Sequence, residues 1–132
     1  MSGAYSRNKG ARAEREFCKL ASDYLGGQYT RNLKQYQCAQ HGDIEQLVGP
    51  YLVECKSCKE LTIPAWWRQA CAAAEARGAL PCLAVKIARK GWKFIVPSRE
   101  ALGANAAWSW DLRYTVELFE EGFFLHVREL GG

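Results

Sequence analysis

The stretch Cys82-Leu-Ala-Val-Lys-Ile87 shows almost no polar alternation. A strand of this kind belongs in a sheet covered on both faces, because a solvated face would call for a polar residue at every second position. The rest of the chain must therefore supply layers on two sides of a sheet, and two helical patterns do so. Ala13, Phe17, Leu20, Ala21 and Tyr24 recur at i, i+4, i+7, i+8 and i+11, which predicts a helix over about 8–25 that stops at Gly26-Gly27. Pro64 suits the first turn of a second helix, which runs through Trp66, Trp67, Ala70, Cys71 and Ala74 to a stop at Gly78.

Residues 28–36, 43–48 and 51–56 read as three strands ahead of the second helix, the last two forming a hairpin around Gly49-Pro50. After the apolar strand, a tight Arg89-Lys90-Gly91 turn leads into another at 92–96, and Ser98 can cap a short helix through Leu102. Residues 114–119 and 123–130, on either side of Glu120-Glu121-Gly122, predict a C-terminal hairpin. The order is αβββαββ, an α/β sandwich with a mixed sheet flanked by helices and a C-terminal β extension. At 132 residues, 48% of them hydrophobic, the chain reads as one domain over 1–132, with a core over about 7–102 and an extension over 103–132 that is a candidate dimer contact.

No run of 18 apolar residues occurs, and residues 1–10 are polar and basic, which predicts a cytoplasmic protein of a bacterium, archaeon or phage with no membrane partner. The six cysteines then read as reduced thiols or metal ligands. Five tryptophans, six tyrosines and five phenylalanines exclude disorder.

Charge is unevenly placed. Residues 1–34 carry seven Lys/Arg against three Asp/Glu, whereas 35–55 carry no Lys/Arg against Asp43, Glu45 and Glu54. Residues 56–99 return to nine basic against two acidic. An acidic island between basic blocks suits metal-dependent cleavage of nucleic acid, in which carboxylates hold a cation and Lys/Arg hold phosphates. Strand alternation puts Glu54 and Lys56 on one face and Cys55 on the other, and a turn could bring Asp43 beside Glu54. Two carboxylates and the Cys55 backbone carbonyl would suit Mg²⁺, with Mn²⁺ as a substitute, and leave positions for a phosphate oxygen and a water. Lys56 could orient that water or stabilise developing negative charge.

The segments Asn8-Lys-Gly-Ala-Arg-Ala-Glu-Arg-Glu-Phe17, Gly42-Asp-Ile44, Leu52-Val-Glu-Cys-Lys-Ser57, Arg68-Gln69, Cys82-Leu-Ala-Val-Lys86 and Trp92-Lys-Phe-Ile95 occur in this order. Together they resemble the archaeal-type Holliday junction resolvases of the PD-(D/E)xK restriction-endonuclease-like superfamily, over residues 7 to about 102. The resemblance implies that fold, with an αβββαβ core, and a homodimer acting on branched or four-way-junction DNA. It also implies Glu14 as the helical carboxylate, Asp43 and Glu54 as metal ligands, Lys56 as the catalytic lysine and Gln69 as a further site residue. The chain departs from the pattern in having Gly42 before Asp43 and His41 where these resolvases often place a serine.

Helical geometry bears on Glu14 independently: it shares a stripe with Phe17 and Ala21, at the margin of the buried face. Glu16 reads as a complement to the helix dipole. Arg7, Lys9, Arg12, Arg15, Arg31, His41 and Lys90 make up the candidate DNA-binding set. Cys38, His41, Cys55 and Cys58 have spacing compatible with a structural Zn²⁺, but that use of the backbone conflicts with a strand through Cys55. Cys18, Cys71 and Cys82 read as small core residues, and Trp66-Trp67 as core or interface. The function expected is a Mg²⁺-dependent, structure-selective DNA endonuclease. Its rivals are a nuclease of the same superfamily acting on duplexes or ends, and a non-catalytic DNA-binding module with the same fold.

Overall fold

A computed structural model describes residues 3–32, 43–58, 63–104 and 110–131, with side chains for 11–32, 43–57, 63–101 and 110–130. The described elements are α1 (Gly3–Leu25), β1 (Tyr51–Cys58), α2 (Ile63–Arg77), β2 (Leu80–Ile87), β3 (Gly91–Pro97), α3 (Arg99–Ala104), β4 (Thr115–Phe119) and α4 (Glu120–Gly131). The four strands form one mixed sheet in the order β1-β2-β3-β4. β1 and β2 run parallel with α2 as the crossover, and β2–β3 and β3–β4 are antiparallel.

β2 is the central strand expected from its composition, with Pro81 to Val85 all buried. On one face, Val53, Cys55, Ala84, Phe94 and Val96 meet Ala13, Phe17 and Ala21 of α1. On the other, Leu83, Val85 and Ile95 meet Trp67 and Ala70 of α2, while Leu52 meets Ala73 and Ala74. α1 ends where expected. Gly26 and Gly27 take φ of 75° and 83°, a left-handed conformation that glycine adopts without a Cβ clash, and the Gly26 N–H donates to the Ser22 carbonyl at 2.9 Å. Ser98 caps α3 as expected, its Oγ accepting from the Ala101 N–H at 3.1 Å.

Two expectations need correction. Among the described residues, 28–32 and 43–48 are not strands in a ladder. They meet at one antiparallel bridge, Arg31 with Ile44, and Val48 bridges Tyr51. The expected part of the first strand beyond residue 32 lies outside the described residues. The short pairing is held by the Asn32 N–H on the Asp43 carbonyl and the Glu45 N–H on the Thr30 carbonyl, both 2.9 Å, with Gln46 Oε1 accepting from the Thr30 N–H at 2.7 Å.

The second correction is at the C-terminus, where β4 joins the sheet but 123–130 forms helix α4 instead of a return strand. Phe123, Phe124 and Val127 are buried while Leu125 is exposed, a stripe that a helix satisfies and an alternating strand would split. Glu120 and Glu121 occupy the first turn, where the helix dipole favours carboxylates, and space is open around Gly122. α4 lies against the same sheet face as α1. Phe123 stacks on Phe94 with centroids 4.2 Å apart, and Phe124 stacks on Tyr24 at 4.6 Å. The Tyr24 hydroxyl donates to Glu120 at 2.8 Å, and Arg128 donates to the Tyr24 carbonyl.

Phe123→Ala should therefore cost about 3–5 kcal/mol in a denaturant titration, the range for truncating a fully buried aromatic. Leu125→Ala, two residues on and 57% exposed, should stay within about 0.5 kcal/mol of the parent.

Candidate active site

Among the described residues β1 is an edge strand of the sheet, paired with β2 along one side and met on the other by Val48 at Tyr51 and by Asp43 at Cys55. Its other edge is where the acidic residues gather. The Cys55 N–H donates to Asp43 Oδ2 at 2.7 Å, so Asp43 sits at that edge. The N–H and C=O of a residue in an extended strand leave on the same side, and the Cys55 carbonyl therefore faces the edge that holds Asp43. The Cys55 side chain points into the apolar cluster beneath α1. Glu54 stands on the opposite face between Leu52 and Lys56, and hydrogen-bonds to the Asp43 carboxyl.

Both carboxyls are buried, Asp43 to 6% exposure and Glu54 to 2%. Burial is the main cause of their weakened acidity. Asp43 is raised to about 6, by burial first and then by the charge of Glu14, against opposing effects of the Cys55 N–H and Lys56. Glu54 is raised to about 9 by burial, by the charge of Asp43 and by the hydrogen bond to it, with Lys56 opposing. The pair thus holds a proton near neutrality when no cation is present. Glu54 Oε2 is buried, and no N–H or hydroxyl among the described residues donates to it. Such an orphaned oxygen is costly unless something electropositive completes it.

Glu14, on α1, is buried and forms an ion pair with Arg31, Nε to Oε1 at 2.8 Å. The bridge between Arg31 and Ile44 thereby ties α1 to the segment that carries Asp43. The structure brings Glu14, Asp43, Glu54 and Lys56 within electrostatic reach of one another. Gln69 is different: it is exposed on α2, and no hydrogen bond joins it to the carboxylates.

Of the candidate DNA contacts, Arg12, Arg15 and Lys90 are exposed and Arg31 is half-buried against Glu14. His41 and the side chains of Arg7 and Lys9 lie outside the described residues. Glu16 is engaged away from the site, 3.6 Å from Lys86. The spacing of residues gave no sign of Arg31 as the partner of Glu14, nor of the buried Asn32 whose N–H holds the Asp43 carbonyl.

The donors that Asp43, Glu54 and the Cys55 carbonyl offer are all oxygen, the chemistry of Mg²⁺ or Mn²⁺ and not of a thiolate-bound ion. Among the described residues, no three His, Cys, Asp or Glu side chains are grouped as a metal cage. Mg²⁺ keeps several waters and needs few protein ligands, so two carboxylates and a carbonyl fit it. Cys38, His41 and the Cys58 side chain lie outside the described residues. Cys82 is fully buried, whereas Cys18 and Cys71 are only half-buried. Trp67 is core, its indole N–H donating to the Trp110 carbonyl at 2.7 Å.

Three comparisons place this geometry among known proteins. The family model described as "Phage putative PDDEXK endonuclease" matches residues 5–119. No curated protein matches the sequence. Among solved structures, Hjc of Archaeoglobus fulgidus, a Holliday junction resolvase from an archaeal hyperthermophile, superposes with a TM-score of 0.52 at 20% identity, over 92% of this chain and 99% of that chain. At that identity the match speaks for the restriction-endonuclease-like fold.

The raised acidity constants have a stability consequence. The fold favours protonated Glu54, so that contribution is complete below the ordinary value of 4.5 and is lost as pH rises toward about 9. In EDTA, melting temperature should fall across that window, and Glu54→Gln should melt about 3–6 °C above the parent near pH 8. Equal melting of the two proteins at every pH would mean that Glu54 carries no burial penalty.

Proposed function

This chain belongs to the phage PDDEXK endonuclease family, and from that we propose that it is a divalent-metal-dependent DNA endonuclease, acting as a homodimer on branched DNA and most specifically on four-way junctions. The observation that carries the catalytic part is the buried Asp43–Glu54 pair at the outer edge of β1, with Lys56 beside it and no N–H or hydroxyl among the described residues donating to Glu54 Oε2. The junction preference is supported by the likeness in fold to a Holliday junction resolvase and by the ordered motifs in the sequence. Paired incisions across a symmetric junction call for two sites, hence a C2 dimer.

In this reading Asp43, Glu54 and the Cys55 carbonyl would hold Mg²⁺, with Mn²⁺ as a substitute. Bound there, the ion supplies Lewis acidity toward a phosphate oxygen and lowers the pKa of a water. The Cys55 N–H fixes one oxygen of Asp43 and so sets the orientation of a carboxylate that would be a ligand. Lys56 shares the face of Glu54 and brings positive charge to the scissile phosphate, where it orients the attacking water and offsets charge that develops in the transition state. Arg31 holds the Glu14 carboxylate on α1, and Glu14 completes the acidic wall on that side of Asp43. Arg12 and Arg15, exposed on α1, and Lys90 hold backbone phosphates. Arg7, Lys9 and His41 are further phosphate contacts in this reading. Gln69, exposed on α2, reaches the site only with DNA in place.

The test compares cleavage of a labelled four-way junction with cleavage of its component duplexes, in Mg²⁺ and in EDTA. The expected result is Mg²⁺-dependent cutting of the junction in preference to duplex. Asp43→Asn and Glu54→Gln should each lose at least about 100-fold in rate while still binding the junction, and Lys56→Ala should lose rate with metal binding intact. Equal cutting of duplex would remove the junction from the proposal. Parental rates in both carboxylate variants would remove the site.

A further inference from the structure

Arg89 is the only non-glycine described residue with a positive φ, 66°. It occupies the third position of the turn between β2 and β3, which is closed by the Lys90 N–H on the Ile87 carbonyl at 3.0 Å. Glycine or asparagine adopts that conformation at less cost, because an ordinary side chain brings its Cβ against the backbone. Arginine has no local reason to be there, and a strained residue kept at a surface turn points to a use for its side chain.

The sheet register shows where that side chain is presented. In the parallel pairing of β1 with β2, Lys56 lies opposite Val85 and Cys58 opposite Ile87. The turn therefore projects from the end of the sheet toward which β1 runs after Glu54 and Lys56. β2 ends at Ile87, about 7 Å beyond the level of Lys56 at a strand rise of about 3.3 Å per residue, and the turn carries Arg89 further in the same direction, two to three phosphates along a DNA strand at about 3.4 Å each. Ala88, Arg89 and Lys90 are all exposed. Flanking cations are already committed, Lys86 to Glu16 at 3.6 Å and Lys93 to Glu117 at 3.4 Å. Among the described residues, Arg89 and Lys90 make no ion pair, so their charge is available to an anionic partner.

We infer that the β2–β3 turn is a phosphate clamp, in which the left-handed Arg89 and its neighbour Lys90 grip the backbone of the DNA arm that leaves the Asp43–Glu54 pair. This rests on the nuclease reading above and adds a contact to it. Arg89 is a substrate-positioning residue remote from the reacting phosphate, and its effect belongs to binding and not to the chemical step.

The test measures binding of a fluorescent four-way junction in EDTA over a range of salt, for the parent, Arg89→Asn, Lys90→Gln and, as a control at the opposite end of the sheet, Arg99→Gln. Asparagine suits the backbone but removes the charge. Arg89→Asn is expected to melt at or above the parent temperature, to bind more weakly and to flatten the log–log salt dependence by about one unit. Lys90→Gln is expected to flatten it similarly, and Arg99→Gln to leave it unchanged. In Mg²⁺, Arg89→Asn should raise KM with kcat near parental. Unchanged affinity and slope in both turn variants, with parental DNA binding and cleavage intact, would overturn the clamp alone. A parental chain that binds no DNA would overturn the clamp and the nuclease reading together.

Discussion

Holding two carboxyl groups out of water at the edge of a sheet is the constraint around which this molecule is arranged. Asp43 and Glu54 are almost fully buried, and both are shifted toward the protonated form by that burial. Burial of like charges is tolerable only when hydrogen bonds and counter-charges surround them. The Cys55 N–H, the charge of Lys56 and the shared proton do part of that work. The buried Oε2 of Glu54, to which no N–H or hydroxyl among the described residues donates, is what they leave undone, and the divalent cation we propose would complete it.

The fold serves this edge from both sides. The apolar centre of β2 lies between α1 with α4 and α2, so β1 is anchored along its inner side, while its outer side carries the segment that presents Asp43. The stacks of Phe94 on Phe123 and of Tyr24 on Phe124 fix α4 and α1 to each other and to the sheet. A stiff α1 matters because it carries Glu14, whose ion pair with Arg31 reaches the segment that presents Asp43. Lys56 and Arg31 are the cations at this acidic edge.

Much of this was legible from residue order. The uninterrupted apolar run at 82–87 required cover on both faces, and helical spacing in α1 and α2 supplied the cover. The alternation of Glu54, Cys55 and Lys56 correctly separated the thiol from the carboxylate, because strand periodicity is local. Glu120-Glu121-Gly122 has the composition of a turn, and that hides the C-terminal helix in the residue order. Only the burial of Phe123 and Phe124 together, against Phe94 and Tyr24 far back in the chain, reveals helical packing. The strand expected at 43–48 reduces to isolated bridges, because Gln46 spends its side chain on Thr30 and the pairing stays short. The ion pair of Glu14 with Arg31 was invisible for the same reason: a contact across 17 residues and a helix terminus leaves no periodic trace.

The most direct measurement of the central claim is calorimetric titration of the protein with Mg²⁺ near pH 7 in two buffers of different ionisation enthalpy. Saturable binding that releases close to one proton per ion is expected, because the cation displaces the proton that Asp43 and Glu54 otherwise share. Glu54→Gln should bind more weakly and release none. Absence of saturable binding, or proton release that survives in Glu54→Gln, would contradict the assignment of this buried pair as the metal centre.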